Sequence, residues 1–214
     1  MLGVETVDVA DAVRVLDVLF TVTLYLALDK HTSAVSTKCF YQLRQLCVCS
    51  SLDADSAKIL VHALVTSRID YCNGLLANAP SIWTDKLQRV LSAAARVITN
   101  ARKFDRGLTC ILHDDLHWLD LPRRVLFNIC VMVYKSLHGM APKYLAELCR
   151  TISDVQGRCH LRSAARGLLH TPRYYLSTYG RRAFCYAGPS AWNSLPEQLL
   201  ASDLSLHLTA VGTR

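Results

Sequence analysis

The tightest constraint on this chain is the helical period between Trp83 and Thr99. Set about 100° apart on a wheel, Trp83, Leu87, Val90, Leu91, Ala94, Val97 and Ile98 fall on one side. Lys86, Arg89 and Arg96 cluster on another. A helix divided this way has to bury one face and leaves a cationic face over. Ala93, Ala94 and Ala95 are strong helix formers and let a neighbour approach closely. Upstream, HALVTSRIDYCNGLL predicts a partner helix, ended by turn residues at Asn78–Pro80. The cationic face has two readings: solvated surface charge, or Lys and Arg laid along a phosphate backbone.

The same period recurs elsewhere. Asp29 or Thr32 is placed to cap a helix through about Cys49, with Val35, Cys39, Leu43 and Leu46 as its apolar stripe. Asp53 is the expected cap of the next helix, and Asp55 complements its dipole. Ile59, Leu60, Ala63, Leu64, Ser67 and Tyr71 are read as its continuation. Residues 111–120 suggest a short helix and turn. Pro122 then opens an apolar helix that runs to Gly139, a suitable C′ residue. Pro142 opens another short helix. After Arg150 the periodicity fades. GLLHTPRYYLSTYG and RRAFCYAGP read as extended segments of a small hairpin around Tyr179–Gly180. SAWNSLPEQLL and SDLSLHLTAV read as short helical pieces. The expected class is mainly α, a helical bundle with a small irregular or β-hairpin C-terminal part. Its segments are 1–29, a divergent N-terminal stretch; 30–150, the helical domain; and 151–214, a basic extension.

Composition supports a buried core: 51% of the 214 residues are hydrophobic and the mean hydropathy is +0.21. The net charge of +7 is uneven. Residues 1–100 carry 9 basic and 9 acidic side chains, whereas residues 101–214 carry 15 basic and 8 acidic. A basic half invites an anionic partner. The apolar run from Val18 to Leu28 is about half the roughly 20 residues that span a bilayer, so no membrane span is expected. It also lacks the charged leader and cleavage site of a signal peptide. Nine scattered cysteines, several within apolar helical patterns, suit a reducing intracellular setting.

Catalytic signatures fail one by one. No GxxxxGK[ST] or GxGxxG loop occurs. Ser190 lies in GPSAW, which lacks the second glycine of a nucleophile elbow. Cys110, His113 and His117 have spacing that could share a zinc ion, but a polar turn beside Trp118 is the plainer reading. No metal, cofactor or small-molecule substrate is expected. The basic half offers more: Arg158, Arg162, Arg166, Arg173, Arg181 and Arg182 occur between Gln156 and Arg182 with no acidic residue, interleaved with Tyr174, Tyr175 and Tyr179. Arginine pairs with phosphates and aromatic rings stack on unpaired bases. The competing reading is an Arg-rich loop whose tyrosines pack against Phe184 and Trp192.

TSRIDYCNGLL, DKLQRVLSAAARVIT, ARKFDRGLT, LHWLDLPRR, YKSLHGMAPKYL, LRSA, TYGRRAF and AGPSAWNSLP occur in that order. Together, over roughly residues 29–208, they resemble the C-terminal part of reverse transcriptases from jockey-like non-LTR retrotransposons. The resemblance implies a polymerase thumb and the extension beyond it. Leu2–Val4 is similar to the family's last palm strand, and residues 5–28 depart from its pattern. The family's polymerase holds two metal ions with an [FY]xDD motif and an upstream Asp. The only adjacent aspartates here, Asp114 and Asp115 in LHDDL, lack the aromatic residue of that motif. The resemblance therefore implies a chain that does not polymerise alone. It implies contacts to the backbone of RNA or an RNA–DNA duplex by Lys86, Arg89 and Arg96, extended by Arg102 and Lys103. A second contact would come from Arg162, Arg166, Arg173, Arg181 and Arg182. The alternative is a structural or interaction module, with apolar faces open to self-association, or a decayed pseudogene product without nucleic-acid binding.

Overall fold

The computed structural model describes residues 11–21, 27–48, 53–102, 105–155, 167–176 and 179–200. It is mainly helical, as the periodicity predicts. The chain divides into two compact units, 1–125 and 126–214.

The first unit opens with an antiparallel hairpin, β1 (Ala12–Val15) and β2 (Val18–Thr21), in which Ala12 faces Thr21 and Val15 faces Val18. Its two-residue turn, Leu16–Asp17, has positive φ at both positions (47° and 62°). That is the handedness that matches strand twist, but it is usually supplied by Asn-Gly. Tyr71 Oη donates to Leu16 O at 2.9 Å and Arg14 lies 3.5 Å from Asp17, so the turn is fastened from outside.

α1 (Asp29–Val48) follows. Thr21 Oγ1 donates to Asp29 Oδ1 at 3.1 Å, tying the hairpin to the helix start. Its buried residues are Thr32, Cys39 and Leu43. α2 (Ala54–Val61) is capped as expected: Asp53 accepts from Ser56 N–H at 3.3 Å, and the Ser56 hydroxyl, seconded by that backbone bond, holds the carboxyl below its usual range.

α2 continues through a π-helical turn, His62–Thr66, into α3 (Ser67–Asp70). The helix continues as expected, with Ala57, Val61, Val65 and Ile69 as its buried apolar stripe and Ile59 69% exposed. The buried positions recur every four residues. In an α-helix each such step rotates the stripe by about 40°. The wider π turn offsets that drift and keeps the apolar side chains in line. Hydroxyls at its rim satisfy carbonyls: Thr66 Oγ1 donates to His62 O at 3.0 Å and Ser67 Oγ to Ala63 O at 2.6 Å.

α4 (Ser81–Thr99) is the centre of this unit and packs on α1 and α2. Leu87, Val90, Leu91, Ala94, Ala95 and Ile98 are buried, close to the predicted face, while Trp83 and Val97 are half-buried. Asn100, at φ +52°, ends the helix in a left-handed cap. α5 (Leu108–Cys110) runs into a π turn, Ile111–Asp115, beside α4. Gln88 of α4 then holds the start of α6 (Leu121–Leu137): its Oε1 accepts from Leu121 N–H at 2.7 Å and its Nε2 donates to Asp120 Oδ1 at 3.1 Å. Pro122 sits in the first turn of α6, as predicted. Gly139, at φ +70°, lets Met140 N–H reach back to Lys135 O at 2.9 Å, so it is the C′ residue that the sequence implied.

The second unit holds the rest of α6, then α7 (Lys143–Ala146), α8 (Phe184–Asn193) and α9 (Glu197–Leu200). Among the described residues the expected C-terminal hairpin is absent. Tyr179 O accepts from Arg182 N–H and Ala183 N–H, and the chain turns directly into α8. Phe184, Ala187, Gly188, Ala191 and Trp192 are spaced for one helix face, and all but Phe184 are buried. Gly188 packs so tightly that a Cβ there would lie 3.1 Å from both Phe184 and Val133. The extended pairing that does occur is a single bridge, Thr151 with Leu169. Asn193 secures it, its Nδ2 donating to Leu169 O and its Oδ1 accepting from Leu169 N–H, both at 2.8 Å. SDLSLHLTAV lies outside the described residues from Ala201 on.

Candidate nucleic-acid interface

α4 buries its Leu and Ala residues, so the same rotation sets its cations on the opposite arc. Arg89 is exposed and Arg96 half-exposed. Seven residues separate them, two helical turns or about 10.5 Å along the axis. Neither takes part in an ion pair among the described residues. Lys86 is different. It is half-buried and its Nζ donates to Ser33 Oγ of α1 at 2.9 Å, so it ties two helices together instead of extending the free face.

Beyond the Asn100 cap, Arg102 is exposed. Its N–H donates to Asp105 Oδ2 at 2.6 Å, which fixes the connector backbone but places a carboxylate in the patch. Arg106, which charge clustering on the helix did not single out, is exposed in the same connector. Lys103, Arg162 and Arg166 lie outside the described residues.

In the second unit the predicted arginines have three fates. Arg173 is exposed. Arg181 is exposed but engaged: its Nε donates to Tyr174 Oη at 2.7 Å and its guanidinium lies 5.3 Å from the Tyr174 ring centroid. The bond to Tyr174 holds its ionisation above the usual arginine range. Tyr174 also meets Tyr186 edge-on at 4.8 Å, so that ring is structural. Tyr175 and Tyr179 are exposed. Arg182 is buried, which removes it from the predicted contact surface, and burial lowers its pKa despite the nearby Tyr179. Its position explains why: it opens the turn into α8, where the backbone enters the core.

Both ring nitrogens of His113 meet protein oxygens. Its Nδ1 lies 2.9 Å from Trp118 O and its Nε2 3.5 Å from Asp120 Oδ2. Among the described residues no group of three or more His, Cys, Asp or Glu side chains is gathered as metal ligands. Nor is any described helix long and apolar enough to cross a membrane. No protein-family model, curated protein or solved structure matches the chain.

Proposed function

We propose that this chain is a non-catalytic, nucleic-acid-binding piece of a non-LTR retrotransposon reverse transcriptase, holding the backbone of structured RNA or an RNA–DNA duplex. The resemblance of its ordered motifs supports the family origin. The observation that carries the binding is the pair Arg89 and Arg96, two turns apart on the face of α4 away from the core and outside any ion pair among the described residues. Arg102 and Arg106 extend that surface past the helix end. Arg173 and Arg181, with the exposed Tyr175 and Tyr179, offer a second contact for an unpaired strand. Contacts of this kind neutralise phosphates and read no base, so binding is sequence-tolerant and weakens with salt.

The test is a titration of structured RNA against the chain at several salt concentrations, repeated with Arg89→Glu/Arg96→Glu. The expected result is binding that falls steeply with salt, and a salt slope reduced by about 2 in the variant. A salt-independent affinity, or no binding at low salt, overturns the reading.

A second reading rests on a different observation. Phe127, Met140 and Tyr144 are exposed in the second unit. An interaction module with no nucleic-acid role would self-associate through such residues. Light scattering that rises with protein concentration and ignores added RNA favours it.

A further inference from the structure

A groove of about 430 Å³ lies within the first unit, between the hairpin, α1 and α3. Its size is that of a small-molecule site, which runs to about 300–1,000 Å³. Leu19, Val35 and the ring of Tyr71 form apolar wall. Tyr71 is half-exposed, yet its Oη is anchored on Leu16 O, so the ring is fixed before any ligand arrives. Around this wall stand Arg14, Lys38 and Arg68. The single carboxylate in the lining, Asp17, lies 3.5 Å from Arg14, and its charge also reaches His31 and Tyr71. Lys38 and Arg68 have no ion pair among the described residues, so the lining holds three cations against one carboxylate and two of the three are unpaired. His31 also lines it. Its Nδ1 accepts from Leu19 N–H at 3.3 Å, which leaves the proton on Nε2 as a neutral donor.

A flat apolar wall beside two unpaired cations and a neutral donor suits a ring that carries an anionic group. We infer that this groove binds a nucleoside monophosphate, its base against Tyr71 and its phosphate on Lys38 and Arg68. The nucleotide is either free or the 5′ end of a strand. The groove shares no residue with the α4 surface and stands apart from the backbone-binding reading.

Isothermal titration of the full chain with adenosine 5′-monophosphate, with adenosine and with inorganic phosphate is the direct test. Saturable binding of the monophosphate is expected, with adenosine and phosphate each about tenfold or more weaker. Lys38→Glu/Arg68→Glu should weaken the monophosphate by about tenfold or more. The milder Lys38→Gln/Arg68→Gln, with unchanged far-ultraviolet circular dichroism, should move it the same way. Arg89→Glu/Arg96→Glu should leave it unchanged, which separates failure here from failure of the α4 surface. Competition by a 5′-phosphorylated oligonucleotide assigns the site to a strand end, and binding without such competition assigns it to the free nucleotide. No saturation up to about 10 mM overturns the inference, as does equal affinity for inorganic phosphate or for the charge-reversed variant.

Discussion

Leu16 adopts a left-handed backbone that a branched apolar side chain tolerates poorly, and its own side chain is 80% exposed, so nothing it packs against offsets the strain. Only its carbonyl is used, by Tyr71. Leu16→Asn keeps that carbonyl and suits the conformation, so it should stabilise the first unit by about 0.5–1 kcal/mol. A denaturant midpoint that falls would contradict the assigned turn. The cysteines divide just as clearly. Cys39 is fully buried, whereas Cys47, Cys72 and Cys110 are exposed. A thiol reagent applied to the native chain at neutral pH should modify those three within the time that leaves Cys39 intact. Early modification of Cys39, mapped by mass spectrometry, would show the α1 packing to be wrong.

At the scale of elements, α4 holds the first unit together. Leu91 is buried against its neighbours, so Leu91→Ala should lower stability by about 2–5 kcal/mol. Ile59 of α2 is the useful contrast. It is an equally apolar residue by sequence, but it lies mostly in solvent, so Ile59→Ala should fall within about 0.5 kcal/mol of the parent. Equal losses from the two substitutions, measured by denaturant unfolding, would mean that Ile59 is packed and the outward face of α2 is assigned wrongly. Elements also decide which charges are free. Lys86, Arg89 and Arg96 share one arc of α4, yet α1 passes close enough for Ser33 to accept from Lys86 and not from the others.

For the whole molecule, the alkaline limit of stability follows from burial. The Cys39 thiol is pushed up to about 11 from its usual 9.0, first by loss of solvent, with Arg68 acting the other way. A raised pKa in the folded state means that the unfolded chain loses its proton first. The contribution is therefore complete below pH 9.0 and disappears as pH rises toward about 11. Thermal midpoints recorded over that range should fall, and Cys39→Ala should flatten part of the fall. A parallel decline in the variant would place the titrating group elsewhere.

Periodicity and capping chemistry alone determined the mainly helical class, the extent of α4, the Asp53 cap, Pro122 in the first turn of α6 and Gly139 at its end. These depend on neighbours a few residues apart, so local sequence carries them. Tertiary structure decided the rest. The apolar stripe from α2 into α3 stays in line because a π turn realigns residues spaced by four. The segment around Phe184, read as extended, became a helix because a glycine lets that face press onto Val133. Arg182 was buried at the turn into α8, and Lys86 was tethered by Ser33, distant in sequence. The Lys38, Arg68 and Tyr71 groove left no local mark at all, since its walls are joined only when hairpin and helices pack. A cation's type is written in the sequence, but whether it faces solvent, a hydroxyl or a cavity depends on what packs beside it.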